Sequence, residues 1–479
     1  MYLVFLNKSN TNSNKLHELS SFDIYTNVNL LTSVEIYDEH DHIGILLFSS
    51  NSKLEKVPVS LYGNLLPSFN IHNVIIGSTY NLYDIKTIKR FNLRITPEYI
   101  NMACKKGNID ILEWWKNTYN TQDLLSMYDE NVLDYASQYG HINVLEWWLN
   151  SKLPLKYSEK ALYYASYEGH INVLEWWINS KLPLKCPCND DYRYDLLCDA
   201  SANGYIDVLD WWLNSKLSFI YDESALVRAS ENGCVEVLNW WLNGGLPLKY
   251  NENAIDLASE NGHINVLEWW LNSGLPLKYS EKALDRSSCS RKIDVLKWWL
   301  NSKLPLKYTE KAVDYASGRD LIEFLDFWKN SGLEFRYTLH AMDEASSNGC
   351  VRTLTWWFNS GLKLKYTTYA IANASEKGKI NVLNWWLNSK LPLKYTSNAI
   401  DKASEKGQIK VLNWWLNSKL PLRYTEKAFN LPFKFDFIDV IQWWLTSKLP
   451  LKISNEYRNI FLEYLQTTNQ TITDICWIN

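Results

Sequence analysis

The chain lacks any run of eighteen or more apolar residues, so no helix is expected to span a membrane. It also lacks a strong charge of either sign. Its 49 basic and 53 acidic side chains leave a formal charge of −4, and that balance gives the whole chain no reason to bind nucleic acid. Eight cysteines lie scattered without a disulfide framework, which points to reduced thiols and an intracellular, cytoplasmic setting. The opening Met1-Tyr-Leu-Val-Phe-Leu6 is apolar but short, lacks a basic start, and reads as a strand, not a secretory signal. There is no phosphate-binding loop and no Gly-x-Ser-x-Gly elbow. These absences argue against membrane, secreted and the commonest enzyme classes.

What the chain does have is tryptophan, 24 residues of it. All but Trp477 fall in doublets. Their first members are Trp114, Trp147, Trp176, Trp211, Trp240, Trp269, Trp298, then Phe327 (before Trp328), Trp356, Trp385, Trp414 and Trp443. Successive doublets are 29 residues apart, except for the steps Trp114 to Trp147 (33) and Trp176 to Trp211 (35). A fixed period in this range means a stack of short structural units, not a globule around a central site.

The stretch Ala254 to Lys282 contains one such unit. At about 100° per residue, Ile264, Val266, Leu267, Trp269, Trp270 and Leu271 cover most of a helical circle, leaving a narrow polar stripe of Asn265, Glu268 and Asn272. Such a helix should be covered nearly all round by neighbours. The two tryptophans point about 100° apart. One is expected in the core and the other on a flank, packed on the next repeat. The other half of the unit, read at Ser280 to Ser288, opens with a cap. Ser280 can accept from a first-turn amide, and Tyr279 and Leu284 have the spacing of a hydrophobic staple. Small residues such as Ala161, Ala165 and Ser166 let neighbouring backbones approach. Gly262 stands where a left-handed cap favours glycine.

The run Ala-Ile-Asp-Leu-Ala-Ser-Glu-Asn-Gly-His-Ile-Asn-Val-Leu-Glu-Trp-Trp-Leu resembles the ankyrin repeat. The Gly-His turn is the sharpest match, kept at Gly140-His141, Gly169-His170 and Gly262-His263. The unit is about four residues shorter than the usual ankyrin repeat. The deficit lies between the second helix and the next first helix, so the resemblance implies a short or absent projecting finger. The Thr-Pro opening of that family is mostly replaced by Tyr-Ser or Tyr-Thr. The Trp-Trp, Asn- and Lys-rich flavour resembles the divergent ankyrin families of giant DNA viruses of mimivirus type. The expected fold is therefore mostly α: an ankyrin-type helix-turn-helix solenoid of about twelve shortened repeats over residues 95–453. A small α+β domain precedes it in residues 1–94, and a capping helix and tail follow in residues 454–479.

In the first segment the apolar runs Tyr2–Leu6, Ser33–Tyr37, Ile43–Phe48, Val57–Leu61 and Val74–Ile76 read as strands, separated by breaks such as Ser49 to Ser52. Thr96-Pro97-Glu98 is a helix start. The connector around Asn120 to Glu130 is long, and another insertion runs from Cys186 to Tyr194. The cap glycine is lost at Arg291, Asp320 and Asp436, so those units should be less regular. Pro432 predicts a broken first helix. After Trp444, Ile453 to Leu465 reads as a last helix with a frayed tail to Asn479.

Few residues offer chemistry. Asp38-Glu39-His40-Asp41-His42 holds possible metal ligands, but alternate strand residues point to opposite faces, and the run reads as a solvated turn. Cys186, Cys188 and Cys198 could supply three thiolates, yet Cys-x-Cys is tighter than zinc pairs favour and no fourth ligand is near; free thiols are expected, with no metal or cofactor. The resemblance implies that the His141, His170 and His263 column ties turns together, with Cys234 and Cys350 as substitutes. No nucleophile accompanies that column, so no enzyme is expected. The lysines of the Lys-Leu-Pro-Leu-Lys returns (Lys152/Lys156, Lys181/Lys185, Lys303/Lys307, Lys390/Lys394) would line one edge, a possible nucleic-acid surface.

The outward column of the first helix varies from unit to unit: Tyr135, Tyr164, Asp199, Arg228, Leu257, Arg286, Tyr315, Glu344, Asn373, Lys402. Near-identical cores carrying one variable exposed column suit a binding scaffold. Tyrosine and arginine are residues that interfaces favour. The expected contact residues are Tyr135, Tyr139, Tyr163, Tyr164, Tyr167, Arg228, Arg286 and Tyr315. The leading expectation is thus a non-catalytic scaffold for an unidentified protein partner. The alternatives are an adaptor or enzyme whose activity lies in residues 1–94, and nucleic-acid binding along the lysine edge.

Overall fold

The computed structural model describes residues 2–6, 24–25, 42–61, 64–93, 95–185, 196–288, 290–435, 437–468 and 475–478, with side chains from residue 80 onward up to 463 where placed. Two compact units divide the chain, Met1–Ala225 and Leu226–Asn479.

The first unit opens with an antiparallel sheet in the order β2-β1-β3-β4, formed by β1 (Tyr2–Leu6), β2 (Ile24–Tyr25), β3 (His42–Leu61) and β4 (Asn64–Asn81). The expected strand Tyr2–Leu6 is present. The runs Ile43–Phe48 and Val57–Leu61 are one strand, not two. Polar Ser49 to Ser52 does not end it; the ladder with β4 slips register between Phe48 and Lys53 and then resumes. A bulge absorbs extra residues where a turn would otherwise be needed. The expected strand Ser33–Tyr37 lies outside the described residues.

A short helix, Ile85–Phe91, leads into helix pairs. Thr96 caps the first, its Oγ1 accepting from Tyr99 N at 3.3 Å, with Pro97 in the first turn. Four pairs follow in this unit: Pro97–Lys105 with Ile109–Thr118, Asn131–Gln138 with Ile142–Asn150, Lys160–Tyr167 with Ile171–Asn179, and Leu196–Asn203 with Ile206–Asn214. The long connector after the first pair folds into an extra helix, Thr121–Ser126.

The second unit repeats the same pairing from Val235–Asn243 through Ile438–Thr446. No strand pair forms in the returns between these pairs among the described residues, as the shortened unit implies. Gly262 takes φ 89°, the left-handed cap expected of it. Arg291 and Asp320 adopt the same region at φ 62° and 59° in glycine's absence. The unit of Arg291 shortens its first helix to Lys282–Ser287, but that of Asp320 keeps a full Lys311–Gly318, so only one of the two is irregular. Asp436 lies outside the described residues.

Pro432 does not break its helix. Lys427–Lys434 runs through it at the loss of one backbone donor, and the burial of Ala428, Phe429 and Pro432 holds the helix together. Nor does the chain end as expected. Leu451–Ser454 is a strand (β5), the last helix begins at Arg458 and runs to Thr468, and Ile475–Ile478 (β6) pairs in parallel with β5. The final return is extended and has a free edge, and the tail residues add to it instead of fraying.

Within each unit the core is a ladder between neighbouring pairs. The second tryptophan of each doublet is fully buried, from Trp115 to Trp444. In most repeats its indole N–H donates to the serine of the preceding first helix: Trp177 to Ser137 at 2.9 Å, Trp270 to Ser230 at 3.0 Å, Trp299 to Ser259 at 3.1 Å; Trp148 instead donates to Cys104 Sγ at 3.3 Å. Serine at that position is thus more than a small spacer. Trp115, in the first repeat, has no preceding serine and its N–H is unpaired.

The first tryptophan is half-covered in most repeats and buried at Trp176 and Trp211, and it leans back on the preceding repeat, not forward on the next. Trp269 Nε1 donates to Asn239 Oδ1 at 2.7 Å, and Trp298 Nε1 to Glu268 Oε1 at 2.5 Å. The second helix is not covered all round. Only Val266, Leu267 and Trp270 are buried, while Leu271 stays 36% exposed, because neighbours stack on two flanks and leave the outer ridge to solvent.

Candidate partner-binding face

Three side-chain relays fix how the first helices present themselves. The first was not legible in the sequence. A buried aspartate on each of several first helices reaches the Ser or Thr that starts the next. Asp134 Oδ1 accepts from Ser158 N at 2.9 Å, and its Oδ2 from Ser158 Oγ at 2.5 Å. Asp256 does the same with Ser280, Asp285 with Thr309, Asp314 with Thr338 and Asp401 with Thr425. Ser280 Oγ meanwhile accepts from Lys282 N at 3.2 Å, the cap its position suggests. Burial raises the pKa of these carboxyls, that of Asp134 to about 6, against the lowering pull of the serine hydrogen bonds. The available signal was the pairing of Asp with Ser or Thr 24 residues on.

The second relay is the tyrosine before the cap. Tyr279 packs at a tilt against Trp299 of its own repeat, ring centroids 4.8 Å apart, and its hydroxyl donates to Pro305 O at 2.9 Å. Lys307 then returns its ammonium to Tyr279 O at 2.9 Å and covers the ring at 4.5 Å. Lys156, Lys185 and Lys394 do likewise with Tyr128, Tyr157 and Tyr366. The second lysine of each return is therefore committed to a neighbouring backbone. The first (Lys152, Lys181, Lys303, Lys390) is exposed, each in a left-handed conformation with φ between 58° and 65°. Lys185, Lys307 and Lys394 are nonetheless exposed, so their charge stays on the edge while the bond to the neighbouring backbone fixes its position.

The third relay is the turn column. His141 Nε2 bonds Lys105 O at 2.9 Å and packs on Gly107, where an added Cβ would meet the ring at 2.8 Å. Cys350 Sγ donates to Gly318 O at 3.5 Å in the equivalent role. His141 and Cys350 thus tie neighbouring turns together.

With these inward contacts made, the expected binding residues fall on the outer face of the first helices. In the first unit, Tyr163, Tyr164 and Tyr167 gather on one helix, with Tyr163 ring centroids 5.4 Å from Tyr164 and 6.0 Å from Tyr167. Tyr163 OH donates to Asp199 Oδ2 at 3.2 Å; burial first, then that carboxylate, raises its pKa. Tyr167 is exposed and Tyr164 half-buried. Tyr139 is exposed with the Lys105 ammonium 5.1 Å from its ring centre, and Tyr135 is half-buried. In the second unit Arg228 lies 4.0 Å from Glu231 and is exposed, Arg286 pairs with Glu260 at 2.8 Å, and exposed Tyr315 lines a cavity of about 380 Å³ between the helices Lys311–Gly318 and His340–Asn348. The tyrosines thus form one cluster and its neighbours, whereas the three residues of the second unit sit on separate helices.

No group of three or more His, Cys, Asp or Glu side chains able to hold a metal occurs among the described residues. Cys198 is buried; Cys186, Cys188 and the run Asp38 to Asp41 lie outside the described residues. No helix among the described residues is long and apolar enough to cross a membrane.

Residues 133–178 match the family described as ankyrin repeats (many copies). Among solved structures, the chain is similar to the crystal structure of the human ASB11 ankyrin repeat domain, at 15% identity and a TM-score of 0.31, over 41% of this chain and 96% of that one. No curated protein matches the sequence.

Proposed function

We propose that this chain is a non-catalytic scaffold that binds a protein partner through the outer face of its first helices. The observation that carries the reading is the contrast between two faces of the same helix. Inward Ala, Ser and Asp positions recur with their hydrogen bonds, while the outward column changes residue at nearly every step. A stack held together by the first set is free to vary the second. The matched ankyrin repeats make protein–protein interaction the function class. The flavour of the repeats, close to giant-virus ankyrin families, makes a host protein the partner we favour.

Within that face the tyrosine cluster of the first unit is the strongest contact candidate. Tyr163, Tyr164 and Tyr167 offer large, rigid, amphipathic area with few rotamers to freeze, flanked by Tyr135 and Tyr139. Replacing Tyr135, Tyr164 and Tyr167 together by alanine should abolish partner capture in a pull-down while circular dichroism and thermal melting stay close to wild type. Undiminished capture would remove this face from consideration.

A further inference from the structure

Between successive first helices, two outer columns meet. One is the residue after Ala-Ser; the other lies 26 positions later, in the variable column of the next helix. Glu260 meets Arg286 there at 2.8 Å, and Glu376 meets Lys402 at 2.6 Å. In both, the acid comes first and the cation second, and the pair is made within the chain.

The helices Lys311–Gly318 and His340–Asn348 break that order. Gly318 stands where the acid belongs, and Glu344 where the cation belongs. A Cβ at 318 would come within 3.1 Å of Glu344 Cβ, so the two helices approach closely and nothing projects from the first. The cavity of about 380 Å³ opens beside this contact. Tyr315 and Glu344 line its middle, Lys311 and His340 one end, Arg319 the other. Glu344 is exposed and makes no hydrogen bond or ion pair among the described residues. An acceptor carboxylate, an aromatic wall and side-chain-sized space therefore coincide at a column where two other repeats, those of Arg286 and Lys402, hold a cation.

We infer that this cavity receives one arginine or lysine side chain of a protein partner, supplying in trans the charge that Arg286 and Lys402 supply in cis. The ammonium or guanidinium pairs with Glu344 and lies against the Tyr315 ring, which adds a cation–π contribution. An anionic guest suits the site less. It would meet Glu344 directly, and His340 already lies near enough to Asp314 to favour that carboxylate's charge. Lys311 and Arg319 at the two ends repel a basic run, so the entering residue is a lone cation flanked by neutral or acidic neighbours.

This inference rests on the scaffold reading and is tested separately from it. A phage-displayed random peptide library is panned on the full chain and on Glu344→Gln and Glu344→Lys. Both substitutions sit on an exposed helix face and should leave melting unchanged. Wild type should select peptides sharing one Arg or Lys between non-basic residues. A synthetic peptide of that consensus should bind Glu344→Gln about tenfold or more weakly, the loss of one charge-assisted hydrogen bond, and Glu344→Lys not measurably. Replacing its arginine by citrulline should cost as much. Selection of nothing, peptides without a shared cation, or equal binding to Glu344→Lys would each overturn the inference. Peptides that depend on Tyr135, Tyr164 and Tyr167 but not on Glu344 would overturn it while leaving the scaffold reading standing; selection of nothing counts against both.

Discussion

The seam between repeats and the outer face of the first helices are built from the same short helices, but under opposite rules. At the seam the same polar partners recur from repeat to repeat: Trp270 with Ser230, Asp256 with Ser280, Tyr279 with Pro305. On the outer face partners change from one step to the next. Glu260 has an arginine, Glu376 a lysine, and Glu344 faces a glycine. Desolvation explains the difference. A buried donor left without an acceptor costs about 1–3 kcal/mol, so the seam cannot drift. An exposed charge has water as a substitute, and its exchange costs little. The variable face can therefore take on recognition without endangering the stack.

The tryptophan doublet gives this comparison its largest expected effect. Trp270→Ala removes a fully buried indole and should destabilise by about 3–5 kcal/mol in denaturant titration. Trp269→Ala, at a half-covered flank, should cost about 1–2 kcal/mol. Equal losses would mean that the seam does not divide the two as the hydrogen bonds indicate.

Asp134 sharpens the comparison by pH. Its folded-state pKa is raised to about 6 by burial, above its value in the unfolded chain. The stability linked to its protonation is thus fully present below about pH 4 and is lost as pH rises through about 6. Asp134→Asn has no proton to gain there. The melting temperature of wild type should rise relative to this variant as pH is lowered from 7.5 to 4.5; a difference that stays flat or moves the other way contradicts a raised carboxyl pKa. The variant itself should fold, since Asn430 already occupies the equivalent place and donates to Ser454 Oγ at 2.8 Å.

The smallest effect belongs to the outer face. Arg286→Ala breaks an ion pair whose members are 42% and 31% exposed, and should cost no more than about 1 kcal/mol, shrinking with added salt. A loss comparable to that of Trp270→Ala would erase the distinction between seam and face.

Much of this architecture is legible in the one-letter string, and the parts that are not share a cause. The doublet spacing, the Gly262 cap and the Thr96-Pro97 start follow from local periodicity and backbone preference, and each appears where expected. The partners of Ser137, Asp134 and Lys307 do not, because those bonds join residues 24 to 40 positions apart and depend on how one repeat settles on the next. Pro432 and the tail strand Ile475–Ile478 depart from local preference for the same reason: packing and a free strand edge outweigh it. Among the candidate contact residues, the sequence located the outward column, but not which tyrosines would touch or where a cavity would open.

By itself the sequence determined that the molecule is a repeat of helix pairs with one invariant and one variable side, since period and residue size are properties of a single short segment. Tertiary structure alone decided that the serine is an indole acceptor, that the second lysine of each return is tied to a neighbouring carbonyl, and that Glu344 faces empty space beside a glycine. Those outcomes are set by distances between segments, and no segment carries its neighbour's position within itself.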